Sequence, residues 1–480
     1  MSFASPLFLW YFLPAVLLTT WVLPHRARNG VIAVFSLAFY TIGGKEFVLL
    51  LIAVMAVNYL AGLAIGALRV PTDDRPARPQ AARTVMVATV VADLAVLAVW
   101  KYAGFVTTIA HNVADRLDLA DTRTVSLALP IGISFFTFHH LSYVIDVHRG
   151  VRTPMRNPLT FATYIAMFPQ LIAGPIVRYH EIVDQLRIQE HRRIADFVDG
   201  FPRFAWGLFK KVVIADSLAP IADAAFATSD PSTPTAWMGA IAYAGQIYFD
   251  FSGYSDMAIG LGLMFGLRLP ENFDRPYSAV SITDFWRRWH MSLSRWFRDY
   301  LYIPLGGNRG GTVSTYRNLV IVFMATGIWH GAAWTFVVWG AYHGAWLIFE
   351  RATGLARVEG RRALRRGTTM LIVVIGWVIF RSASLHQAET MISAMFVPDL
   401  GSLSADVALL LTPQRLGILA VAVASVALPA TWVTGRAIDG MDGFGAGASN
   451  VARTVAFVVA PYAGLVAVAG TFSPFLYFQF

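Results

Sequence analysis

Long apolar runs recur along the chain, separated by short basic gaps. The cleanest runs are Leu7–Leu23, Phe47–Leu68, Thr84–Val99, Leu319–Phe349, Thr369–Phe380, Leu416–Val433 and Val455–Gly470. About 20 apolar residues in a helix rising about 1.5 Å each cross a hydrocarbon core of about 30 Å. Counted with less regular runs between them, these segments predict about ten to twelve spans or partial spans. Segments of alternating polar and apolar residues, which a membrane barrel needs, are absent. The pattern predicts an all-α polytopic membrane protein, with no soluble domain, internal repeat or low-complexity tract.

Three stretches depart from the simple pattern. Residues 178–203, "RYHEIVDQLRIQEHRRIADFVDGFPR", are charged with apolar residues near helical spacing, which suits a helix at the membrane surface. Residues 268–318 hold "FWRRWHMSLSRWFRDYLYIPLGGNRGG", whose aromatics Phe285, Trp286, Trp289, Trp296, Phe297, Tyr300 and Tyr302 suit interfacial or re-entrant helices beside snorkelling Arg side chains. In "FPQLIAGPIVRY", Gly174-Pro175 predicts a broken helix.

Composition fits the membrane and narrows the chemistry. The chain of 480 residues is 56% hydrophobic and 14% charged, with a net charge of +9. Its basic residues fall in the gaps, as the positive-inside rule requires, so the charge is no argument for nucleic acid. No Lys or Arg precedes the first run and "HRARNG" follows it, which places the N-terminus outside the cytoplasm and argues against a cleaved signal peptide. Zero cysteines exclude disulfides, thiolate nucleophiles and Cys-ligated metals. No G-x-S-x-G elbow, P-loop or H-E-x-x-H occurs, and no metal site is expected. An H-x4-D pattern at His191 and Asp196 lies in the charged surface segment and is read as chance.

Polar residues inside apolar spans are costly and mark candidate sites. His330 follows Asn318 by twelve residues, about 18 Å along a helix, near the middle of the core. A neutral imidazole there can take a proton from a hydroxyl or bind a metal, or it can be a core histidine bonded to backbone. Gly327 and Gly331 flank it and admit a ligand or a neighbouring helix, and the run around it is too long for one straight span, so it should bend or break. His290 is either a site residue or a solvated interfacial histidine, and His343 reads as packing. Asp250 and Asp256 interrupt another apolar run, and structural pairing is their expected role over catalysis.

These motifs together carry a family likeness. "FWRRWHMSLSRWFRDYLYIPLGGNRGG", "GIWHGAAWTFVVWGAYHG", "YFDFSGYSDMAIGLGLMFG", "LPIGISFFTFHHLSYVIDVHRG", "GLFKKVVIAD", "ENFDRPY" and the terminal "FLYFQF" resemble the membrane-bound O-acyltransferase (MBOAT) superfamily. Within it they are most similar to the branch of polysaccharide and cell-wall acylation that includes the membrane subunit of bacterial alginate O-acetyltransferase. The likeness is densest over residues 130–350 and implies one membrane domain over residues 1–480 in a bacterial inner membrane. It implies a ring of helices around a thinned centre, crossed by a tunnel. It also implies a catalytic His at His330 and a second at His290. Arg287, Arg288, Arg295, Arg298, Lys210 and Lys211 become candidates for binding an anionic donor, with at least two of the Arg expected to pair with Asp284, Asp299 or lipid instead. "PLGGNRGG" is a weaker candidate for holding phosphate on backbone N–H groups. Where the family commonly has an amide, this chain has His139. The implied donor is acetyl-CoA or an acyl-carrier thioester, with no bound cofactor. The implied partners are an extracytoplasmic acyl-transfer protein and a polysaccharide acceptor. A non-catalytic conduit, or a scaffold for a secreted acyltransferase, is the competing reading.

Overall fold

The computed structural model describes residues 1–71, 76–119, 123–187, 193–357, 360–399, 401–426, 446–470 and 475–476. Among these residues the only regular structure is helical, with no strand. Four helices are long and apolar enough to cross a membrane: Phe47–Arg69, Pro79–Arg116, Arg362–Arg381 and Ser449–Ala469. Phe8–Val22 and Pro413–Ala424 are apolar but shorter. Several other apolar runs fold as broken or charge-bearing helices, which is why fewer unbroken spans stand out than the expected ten to twelve. Residues 427–433 of the Leu416–Val433 run, His191 of the H-x4-D pattern and the last four residues of "FLYFQF" lie outside the described residues.

The chain divides into two compact units. The first comprises Met1, Pro6–Val198 and Leu261–Pro270. Its Phe47–Arg69 and Pro79–Arg116 helices expose Leu49, Val57, Leu60, Val91 and Val99, as lipid-facing spans do. The Ile133–Arg149 helix beside them is almost wholly buried. The Pro158–Ala166 helix starts on a built cap: Asn157 Oδ1 accepts from the N–H groups of Leu159 at 2.9 Å and Thr160 at 3.3 Å, with Pro158 at the first position. After the short Phe168–Leu171 helix the chain leaves helical structure across Gly174-Pro175, as the motif predicts, and resumes it at Tyr179–Arg187.

The second unit comprises Ser2–Ser5, Asp199–Gly260 and Glu271–Phe480. Two glycines bring its first helices into backbone contact. A Cβ on Gly207 would lie 2.5 Å from the Gly253 carbonyl, and one on Gly253 would lie 2.8 Å from the Gly207 carbonyl. This small-residue contact joins the Ile194–Phe209 and Thr233–Met264 helices, and a π-helical turn, Lys210–Ala215, follows directly. Farther on come two short helices, Ile282–Arg288 and Met291–Phe297, and then the paired Gly311–His330 and Trp334–Thr353 helices.

Candidate active site

The apolar run that begins at Leu319 breaks where sequence length requires it. The Gly311–His330 helix ends at His330, three non-helical residues follow, and the Trp334–Thr353 helix returns against it. The hairpin closes on glycine: a Cβ at Gly340 would lie 2.5 Å from the Phe323 carbonyl, and one at Gly327 would lie 2.4 Å from the Phe336 carbonyl. The Phe336 ring fills the space beside Gly331. So these glycines serve the neighbouring helix, and His330 stands at the tip of a rigid turn. Its buried ring is boxed by Trp329 at 5.0 Å, Trp339 at 5.1 Å and Phe380 at 5.3 Å between centroids.

His290 occupies another turn, between the Ile282–Arg288 and Met291–Phe297 helices, with φ +44° and ψ +52°. A non-glycine residue in this left-handed region is held there by its surroundings. Asn272 holds it. Its backbone carbonyl accepts from Met291 N–H at 2.9 Å, and its Oδ1 accepts from Ser292 N–H at 3.2 Å and Ser292 Oγ at 2.8 Å. Because a backbone N–H only donates, that contact identifies the amide oxygen and turns Asn272 Nδ2 toward Ser255 Oγ at 3.0 Å. The same Oδ1 lies 3.1 Å from His290 Nδ1, so Nδ1 carries the proton and Nε2 carries the lone pair. The ring is only 1% exposed and meets Phe251 edge-on at 4.7 Å. His290 is therefore a buried histidine, and the solvated interfacial reading does not hold.

One indole neighbours both histidines. Trp329 lies 6.2 Å from His290 and 5.0 Å from His330 between ring centroids. Around them, Phe285, Trp286, Trp289, Trp339, His343, Trp377 and Phe380 form one aromatic cluster, with Trp289 against Trp377 at 4.7 Å and Trp286 against His343 at 5.2 Å. Of the aromatics in the segment read as interfacial or re-entrant, Phe285, Trp286 and Trp289 pack ring on ring inside the protein, whatever their depth in the bilayer. His343 belongs to that packing. Glu350 ties the cluster's two halves, accepting from Ile282 N–H at 2.6 Å and Thr283 N–H at 2.8 Å at the start of the helix that leads to His290.

The basic candidates divide. Arg288 pairs with Asp284 at 2.8 Å and Arg298 with Asp299 at 2.7 Å, meeting the expectation that at least two of the four would do so. Arg295 donates to the Glu271 carbonyl at 3.0 Å. Arg287 is exposed. In "PLGGNRGG" the N–H groups of Leu305, Gly306, Gly307 and Arg309 donate to the carbonyls of Leu301, Ile303, Tyr302 and Gly306, so this turn does not offer them to phosphate.

Lys210 and Lys211 are each 3% exposed and spend their ammonium groups on internal carboxylates. Lys210 Nζ donates to Asp256 at 2.7 Å; Lys211 Nζ reaches Asp250 at 2.6 Å and Asp216 at 2.7 Å. Arg203 completes the network with Asp256 at 2.7 Å and a forked pair of bonds to Glu271. Asp250 also accepts from Leu476 N–H at 2.9 Å. Close helix contact at Gly207 and Gly253 brings these opposite charges into reach, and a buried ion held by good partners escapes the cost of lone burial. Sequence reasoning overlooked Asn272, Ser255, Ser292, Trp329 and Glu350. All but Glu350 lie inside the motifs that carry the family likeness, where no role was attached to them.

Comparison with known proteins identifies the family. The pattern of the membrane-bound O-acyltransferase family matches residues 151–380, which contain both histidines. The probable alginate O-acetylase AlgI of Azotobacter vinelandii is 49% identical over 397 residues, covering 82% of this chain and 78% of that protein. The peptidoglycan O-acetyltransferase of Helicobacter pylori is 37% identical over 431 residues, covering 82% and 79%. The teichoic acid D-alanyltransferase of Bacillus subtilis is 31% identical over 284 residues, covering 53% and 69%. With such coverage and identity, the chain belongs to the membrane-bound O-acyltransferase family and is a multi-pass membrane acyltransferase.

Proposed function

We propose that this protein moves an acetyl group from a cytoplasmic thioester, acetyl-CoA or an acyl carrier, to a hydroxyl outside the bacterial inner membrane, for O-acetylation of a polysaccharide. The relatives named for alginate and peptidoglycan acetylation support the polysaccharide acceptor. The observation that carries the chemistry is that His330 and His290, each at a packed turn, share Trp329 as a ring neighbour. His330 acts as general base: its imidazole takes the proton of the acceptor hydroxyl while that oxygen attacks the thioester carbonyl. The C–S bond then breaks, and the leaving thiolate recovers the proton from His330. His290, with its proton fixed on Nδ1, presents the Nε2 lone pair to a donor group of substrate and orients it. Exposed Arg287 is the forked cation best placed to meet a phosphate of the donor, while Lys210 and Lys211 keep a structural task. The immediate acceptor is an extracytoplasmic acyl-transfer protein, reached through a tunnel, and the N-terminus lies outside the cytoplasm.

The test uses sealed vesicles with donor inside and acceptor partner outside, comparing the native protein with His330→Ala. Transfer across the membrane is expected only with the native protein. Transfer confined to a shared compartment would leave a one-sided enzyme. Full transfer by His330→Ala, or no thiol release at all by the native protein, would favour the conduit or scaffold.

A further inference from the structure

The first compact unit buries two adjacent imidazoles that the acyl-transfer reading does not use. His139 and His140, in the Ile133–Arg149 helix, are both 0% exposed. No ring nitrogen of either makes a well-formed hydrogen bond within the protein, and His140 has only a loose approach to the Phe136 carbonyl one turn back. Their ring neighbours are Tyr164, 5.9 Å from His139, and Phe136 and Phe161, 6.0 and 6.4 Å from His140. Every neutral imidazole carries an N–H that must donate and a lone pair that accepts, so such burial is costly without a ligand.

More unmet polar atoms share this level. The Phe47–Arg69 helix runs alongside in the same direction: Gly62 makes room for the Tyr143 ring, and farther along Arg69 donates to the Val147 carbonyl at 2.8 Å. One turn before the Gly62–Tyr143 contact stand Asn58 on one helix and His139 and His140 on the other. Phe161 confirms the register by touching both Tyr59 at 5.5 Å and His140. Asn58 Nδ2 donates at 2.8 Å to Asp93 Oδ1, from the Pro79–Arg116 helix. Asn58 Oδ1 and Asp93 Oδ2 are buried without a hydrogen bond, as is Gln170 Oε1 beside Tyr164.

The ligand must donate to oxygens and both donate to and accept from imidazoles. A bare metal ion cannot donate, and among the described residues no three His, Asp or Glu side chains gather closely enough to hold one. We infer that this level holds a cluster of ordered water molecules bridging His139 and His140 to the Asn58–Asp93 pair. Each water satisfies two to four of the groups and carries no charge into the apolar unit.

X-ray radiolysis of the full chain in lipid nanodiscs tests this, because ordered internal waters generate hydroxyl radicals beside the side chains they touch. His139 and His140 are expected to oxidise with dose as readily as exposed His386, while buried Phe8 and Phe12 do not. Oxidation of both histidines as slow as that of Phe8 would overturn the inference. In His140→Leu, loss of oxidation at His139 and a lowered melting temperature are expected. A raised melting temperature with His139 oxidised as in the native protein would mean that the His140 imidazole held none of these waters, and would also overturn it. The first arm uses the unaltered protein, so it decides the question even where the variant fails to insert.

Discussion

Asn272→Ala is the sharpest test of the site, because one side chain holds the turn that presents His290. The substitution removes the acceptor of three bonds, from His290 Nδ1, Ser292 N–H and Ser292 Oγ, and the donor to Ser255. The two hydroxyls can rotate to other partners, whereas the imidazole and backbone N–H groups are fixed and buried. Leaving each unmet costs about 1–3 kcal/mol, so about 2–6 kcal/mol is expected, with the strained left-handed backbone at His290 released as well. The assay pairs a melting curve in detergent with thiol release from acetyl-CoA in the presence of acceptor. The melting temperature should fall, and kcat should drop toward that of His290→Ala. Because Asn272 is a positioning residue acting through His290, the double variant should be no worse in kcat than His290→Ala alone. Asn272→Asp keeps the acceptor facing Nδ1 and should restore part of the rate. Wild-type stability with wild-type kcat in Asn272→Ala, or fully multiplicative losses in the double variant, would refute the reasoning.

Arg287→Gln should raise KM for the thioester donor and leave kcat close to native, as initial-rate kinetics can check. Lys210→Met strands part of the Asp256 charge and should cost about 3–5 kcal/mol in unfolding assays, with partial recovery on adding Asp256→Asn. Gly340→Val drives a side chain into the Phe323 carbonyl, 2.5 Å away, and should abolish acyl transfer while lowering the melting temperature.

Periodicity and span length were enough to read the lipid-facing helices and the break after His330, because both depend on local composition and on the thickness of the bilayer. The same holds for the break at Gly174-Pro175, which follows from the chemistry of two residues. The fate of the charges was not legible in this way. Lys210 and Lys211 sit in a motif that reads as a basic mouth, and only tertiary contact with Asp256, 46 residues on, and Asp250 shows them as internal counter-ions. Asn272 was equally silent, since an amide in "ENFDRPY" has no local signature for locking a turn 18 residues later. Aromatic residues beside Arg look alike in sequence whether they float at a headgroup or pack on one another. Trp286 and Trp289 are resolved only by their neighbours.

The paired charges of the second unit also bear on how the chain enters its membrane. Arg203, Lys210 and Lys211 lie on one segment, and Asp250 and Asp256 lie on the Thr233–Met264 helix. A lone charge at the centre of an inserting helix costs about 2.5–3.5 kcal/mol, so three cations make the earlier segment unable to partition into lipid by itself. The later helix, with two carboxylates, is little better. Asp216 partners Lys211 locally, but Arg203 and Lys210 find their carboxylates only on or beyond the later helix, and Lys210 must wait for a partner 46 residues downstream to be synthesised. The expected order of assembly is therefore joint: a chain arrested before Asp256 is made should leave the earlier segment extractable from the membrane, and one arrested after Glu271 should not.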